Sequence, residues 1–218
     1  MSITASKKFL GGGLAAVLLA TAGPATAVTT YEFTSTAVAA FGTGPYGTVT
    51  LTQSGANVLV SVLLRSDMNF VNTGGPHSVF SFMVADGHAG DVTNVLFNGV
   101  ANSNYTVVTA GDNQPFGRNF SLAIDCTAAA CRNGRPGNMS DPLTFTFRDA
   151  LELDFANILS NGGAYFAADV ICMTGACSGA TGAIAVTGRG RSVPEPGMLA
   201  LLGLGLVGLG FSRRRANT

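Results

Sequence analysis

The sequence predicts an all-β protein: an antiparallel β-sandwich with a short helical connection, framed by an N-terminal signal helix and a C-terminal transmembrane helix. Three observations point to the sandwich. The stretch TVTLTQSGANVLVSVLLR alternates apolar and polar residues on both sides of a turn, the pattern of a β-hairpin with one buried face. Short apolar segments recur along residues 28–192, separated by Gly, Asn, Asp and Ser, and short strands at such spacing pack as two antiparallel sheets. Only 11% of the residues are charged, while Gly, Thr, Ser, Asn and Ala abound; small uncharged side chains suit strands and turns better than solvated helices.

The first element lies before the sandwich. Lys7 and Lys8 precede an apolar run from Phe9 to Gly23, and Pro24 leads into Ala25-Thr26-Ala27. Positive charge, apolar core and small residues at the cut are the order of a secretory signal peptide. Residues 1–27 are expected to be removed by signal peptidase after Ala27. The rival reading, a permanent anchor, is disfavoured by the short apolar run and the A-x-A site.

Residues 28–192 form the predicted domain. In its clearest hairpin, Val49 and Leu51 alternate with Thr48, Thr50 and Thr52; Ser54-Gly55-Ala56-Asn57 turns the chain; Val58, Val60, Val62 and Leu64 share a face. Further strand candidates are YEFTST, VFSFMVA, TNVLFN, YTVV, RNFSLAID, PLTFTFRD, AYFAADVI and GAIAV. Leu143, Phe145 and Phe147 point one way, and Phe80, Phe82 and Val84 form another face. ALELDFANIL places Leu151, Phe155 and Ile158 near helical spacing and predicts one or two helical turns. Residues 28–194 hold seven arginines, eleven carboxylates and no lysine, a net of −4. Such a body has no electrostatic footprint for nucleic acid.

Four cysteines stand in CTAAAC and CMTGAC. In an oxidising compartment an even count reads as disulfides, with three possible pairings. The local pairs Cys126–Cys131 and Cys172–Cys177 are favoured, because short Ala- and Gly-rich loops can close at that length. A four-thiolate zinc site is the rival, weakened by a gap wider than the common two residues and by the export route. No metal and no cofactor is expected.

The other reactive residues are sparse. Asp86, His88 and Asp91 share a Gly-containing loop, and two carboxylates are too few for a calcium site, so turn chemistry is expected there. Ser78 and Ser81 lie near His77, but adjacency is not triad geometry. Asp149, Glu152 and Asp154 could suggest the paired carboxylates of glycoside hydrolysis; a solvated edge or a helix-terminal acid explains them better. No catalytic residue is assigned. Trp is absent, so a sugar platform would rest on Tyr46, Tyr105 and Tyr165.

A Gly/Arg stretch, TGRGRSVPEP, then reads as a flexible spacer. Beyond it, Gly197–Phe211 carries no charge. As a helix these fifteen residues would span about 22 Å, short against a hydrocarbon core of about 30 Å. Arg213, Arg214 and Arg215 would stop the chain and hold its end in the cytoplasm. A span this short suits a transient hold in the inner membrane.

Pro194-Glu195-Pro196, the apolar run and the terminal arginines together resemble the PEP-CTERM sorting signal of Gram-negative bacteria. That resemblance covers residues 193–218. It implies processing near the Pro-Glu-Pro by an exosortase, a membrane-embedded transpeptidase-like protease, and association with exopolysaccharide, biofilm or floc. The expectation is an exported, non-enzymatic surface or extracellular matrix protein. A secreted carbohydrate-binding module and a secreted hydrolase are the alternatives.

Overall fold

The computed structural model describes residues 27–127, 129, 131, 134, 141–155, 159–193 and 203. Apart from Ala27 and Gly203, the predicted signal segment and the predicted transmembrane helix lie outside these residues. Among the described residues no helix is long and apolar enough to cross a membrane.

The strands, in chain order, are β1 (Val28–Glu32), β2 (Ser35–Thr36), β3 (Gly47–Ser54), β4 (Asn57–Leu64), β5 (Met68–Phe70), β6 (Phe80–Phe82) and β7 (Val92–Phe97). They continue as β8 (Val100–Ala101), β9 (Tyr105–Gly111), β10 (Phe120–Cys126), β11 (Leu143–Phe147), β12 (Phe166–Cys172), β13 (Thr181–Val186) and β14 (Arg191–Val193). Two seven-stranded sheets result. The first runs β14-β1-β3-β4-β11-β7-β8; the second runs β2-β13-β12-β6-β10-β9, with β5 alongside β12. The strand pairings are antiparallel.

The hairpin β3–β4 has the predicted register, Ser54 opposite Asn57. Gly55 takes φ +61° at the first turn position, as a two-residue type II′ turn requires. Val49, Leu51, Val58, Val60 and Val62 are fully buried and Leu64 nearly so. They meet the second sheet across an aromatic core: Phe82 lies 5.2 Å from Phe145, Tyr31 lies 5.1 Å from Phe166, and Phe70 lies 5.8 Å from Phe97. Leu143, Phe145 and Phe147 all face this core.

Three readings change. The predicted helical turns are a 3-10 turn, Glu152–Phe155; Phe155 is buried, but Leu151 is 55% exposed and does not share its face. YEFTST is two strands, because β1 and β2 join different sheets. Part of the expected spacer belongs to the domain: Arg191–Val193 pairs with β1. An open edge on β1 would leave backbone groups unpaired, and Arg-Ser-Val can extend to cover them.

The second sheet is buried on both faces along its central strands, β12 above all. Its outer side holds Met83, Phe120, Ala164, Ala167 and Ala185, with Phe116 packed on them. The segments above are tied down: the Ser160 hydroxyl donates to the Phe116 carbonyl at 2.7 Å, and the Arg118 amide donates to Asn161 Oδ1 at 2.7 Å.

Candidate functional site

The two ends of the domain meet on one sheet edge. The Ala27 carbonyl accepts the Gln53 N–H at 2.9 Å. Val28 is opposite Thr52 on one side and Val193 on the other. The predicted signal-peptidase position, after Ala27, therefore adjoins the last strand before Pro194. Ala25, Pro194, Glu195, Pro196, Arg213, Arg214 and Arg215 lie outside the described residues.

β14 reaches this edge through Gly188-Arg189-Gly190. A Cβ on Gly190 would lie 2.6 Å from Thr29 Cγ2 and 2.7 Å from the Tyr31 ring, so only glycine allows so close an approach. Beside it, Thr30, Glu32, Thr34, Gly188, Arg189 and Arg191 line a groove of about 190 Å³. That is smaller than the ~300–1,000 Å³ of an ordinary ligand pocket.

The cysteines pair locally, Cys126 with Cys131 and Cys172 with Cys177. Their Cα separations of 5.9 and 5.7 Å sit inside the disulfide range of about 4.4–6.8 Å. Each bond staples a loop at a strand end, after β10 and after β12. Asp67 Oδ2 lies 3.9 Å from Cys172 Sγ and 3.7 Å from Cys177 Sγ, a trio with metal-ligand chemistry only in the reduced state. Cys126 and Cys131 are not part of that group. Asp67 is instead engaged by Arg65, Nε to Oδ1 at 2.6 Å and Nη2 to Oδ2 at 3.0 Å. This hydrogen-bonded guanidinium holds the carboxyl below its ordinary value.

The isolated histidine and serines belong to a buried polar cluster. Asn113 is fully buried and donates from Nδ2 to the Ser78 carbonyl at 3.0 Å and to Ser81 Oγ at 2.8 Å. Ser81 Oγ is thus an acceptor for an amide, while His77 pairs through its backbone with Asn113. Asp169 is also fully buried. Its Oδ2 accepts the Thr73 N–H at 2.7 Å and the Thr73 hydroxyl at 2.6 Å. Asn72 donates to Asp125. Among the described residues, Asp169 Oδ1, Asn113 Oδ1 and His77 Nδ1 have no hydrogen-bond partner. Burial raises the Asp169 pKa; the Thr73 bonds and the charge of His77 oppose this, and Asp125 adds to it. Sequence reading missed this cluster. The signal was a single acid inside the apolar strand FAADVIC.

The remaining candidates are structural. Asp91 accepts the His88 N–H at 2.9 Å, closing the expected turn. Asp154 accepts the Leu151 N–H at 2.7 Å and caps the 3-10 turn; Asp149 has φ +52° in the same connection. Tyr46 and Tyr165 are buried, so they offer no sugar platform. The Tyr46 hydroxyl donates to the Gly42 carbonyl at 2.6 Å, with the Arg65 guanidinium 5.4 Å from its ring centre. Tyr105 packs 4.5 Å from Phe97, and burial pushes its pKa up to about 12.

Against known proteins, residues 192–215 match the family model of the PEP-CTERM protein-sorting motif. Neither the curated proteins nor the solved structures give a match to the chain. The C-terminus is thus a PEP-CTERM sorting signal, the mark of an exported protein that an exosortase processes after a transient stay in the membrane.

Proposed function

We propose that this chain is a non-enzymatic surface or extracellular matrix protein, exported by a cleaved signal peptide and released at the Pro-Glu-Pro by exosortase, which then works in contact with exopolysaccharide or biofilm. One observation carries the reading: the match to the sorting motif begins at Ser192, within the last strand of a β-sandwich. The position of Ala27 directly before β1 supports a signal-peptidase cut after it, because the mature chain would begin at the sheet. Two local disulfides fit a working life in an oxidising compartment. The arginines Arg213–Arg215 act as the cytoplasmic stop.

The test is the double variant Glu195→Ala/Pro196→Ala in the full-length precursor. Released protein is expected to fall at least tenfold, with precursor held in the membrane fraction. Maturation at the normal size and rate would end the processing reading. Intact-mass analysis of the released wild-type protein reports both cuts at once.

The second reading is a carbohydrate-binding module. The groove at the β1–β14 edge favours it: Arg189 and Arg191 could meet acidic groups, and Glu32, Thr30 and Thr34 could meet hydroxyls. A polysaccharide pull-down that loses its signal in Arg189→Ala/Arg191→Ala separates this reading from the first.

A further inference from the structure

β14 uses the backbone that a protease would need. Arg191, Ser192 and Val193 are opposite Thr30, Thr29 and Val28, and Pro194-Glu195-Pro196 occupy the next three positions. Pro194 has no N–H to give, so a ladder cannot run on through it in the same way. Enzymes that take peptides in extended form bind them by main-chain hydrogen bonds, as an added strand. The same N–H and C=O groups cannot serve β1 and a cleft at once.

We propose that Arg191–Val193 belong to the segment that exosortase binds, and that the enzyme takes it by peeling β14 from β1. The proposal rests on the processing reading above and adds to it that Arg191–Val193, whose last two residues the sorting motif already covers, must leave β1 first. β14 is suited to peeling. It stands at the end of its sheet with β1 as its neighbour. β1 stays behind, because its other side is paired along all five residues with β3. The docked state is also built in: Gly190 sits where any side chain would strike Thr29 and Tyr31. Docking and processing therefore compete for three residues. A precursor with β14 zipped is protected, and one with β14 released is substrate.

The experiment locks the pair. Thr29→Cys/Ser192→Cys and Thr30→Cys/Arg191→Cys are made in the full-length precursor, in cells that carry the exosortase. Facing Cα atoms in an antiparallel ladder lie about 4.5 or 5.5 Å apart, and a disulfide spans about 4.4–6.8 Å. Non-reducing gels score the crosslink, and trypsin resistance scores folding. The crosslinked precursor is expected to be released at least tenfold more slowly than the uncrosslinked precursor in the same culture. Thr29→Cys and Thr30→Cys alone, which leave Arg191–Val193 unchanged, are expected to mature at the wild-type rate, and each crosslinked pair is read against its own uncrosslinked fraction. Release of folded, crosslinked precursor at the wild-type rate would overturn the proposal. So would failure of both pairs to crosslink, since the strand pairing itself would then be missing. Glu195→Ala/Pro196→Ala run in parallel tells the two failures apart: normal maturation of that variant rejects the processing reading, whereas blocked maturation beside a freely processed crosslink rejects the peeling step alone.

Discussion

The two sheets share a core but differ on their outer faces. On the first sheet, one outer row reads Thr30, Thr50, Ser61 and Thr144 across β1, β3, β4 and β11, all of them partly exposed. On the second, the corresponding row reads Ala185, Ala167, Ser81 and Ala123 across β13, β12, β6 and β10, all of them fully buried. A sheet with a wet face can carry hydroxyls and branched side chains there. A sheet whose second face is also covered needs small residues so that the covering chain can approach. Gly111 at the end of β9 shows how tight packing is within the sheet itself, since a Cβ on it would lie 2.4 Å from Ala123 Cβ on β10.

The comparison breaks first at the shared core. Phe82 touches Phe145 and Phe147 of the first sheet and Phe155 of the connection, at 5.2, 6.4 and 6.0 Å between ring centres. Phe82→Ala is expected to cost about 3–5 kcal/mol in urea denaturation. A loss under about 1 kcal/mol, the ordinary cost of a substitution, would mean that the sheets do not depend on one core.

The next pair of variants sharpens the contrast between the outer faces. Ala167→Leu inserts volume beneath the cover of the second sheet and is expected to cost about 1–3 kcal/mol. Thr50→Leu, on the open face of the first sheet, is expected to stay within about 0.5 kcal/mol. Equal costs would show that both outer faces are packed alike.

That contrast also explains what could be read from the sequence. In β4, Val58, Val60, Val62 and Leu64 are buried while Leu59 and Leu63 are 43% and 51% exposed, so alternation gave the strand and its inner face together. In β12, Phe166 to Val170 are all buried; the segment reads as a strand but not as one with an identifiable face. Asp169 was legible as an oddity in that run, yet its partner Thr73 comes from a distant loop that no local pattern connects to it. β14 was hidden for another reason. Gly-Arg-Gly-Arg has linker composition, and what makes Arg191–Val193 a strand is the free edge of β1, a property of the assembled sheet. The sorting motif was fully legible, because its chemistry is local: a Pro-Glu-Pro, an apolar run and a basic end in sequence order.

A last effect, confined to a window of pH, tests whether the covered face is truly dry. Asp169 is held without a partner for Oδ1, and burial raises its pKa. A raised carboxyl pKa means that the folded state keeps a proton that the unfolded state has already lost. Between the ordinary carboxylate range and the raised value, stability therefore falls as pH rises. Asp169→Asn has no proton to lose, and its amide oxygen can still accept from Thr73. Below the ordinary range the two proteins should be nearly equal. Above it the variant should gain on the wild type by up to about 1.4 kcal/mol per pH unit within that window. His77 and Asp125 remain in both proteins, so their own charges largely cancel in the difference. Urea midpoints measured at intervals from pH 4 to 8 give that difference directly. A flat difference would mean that Asp169 titrates as an exposed acid does, and that the outer face of the second sheet is wet like the first.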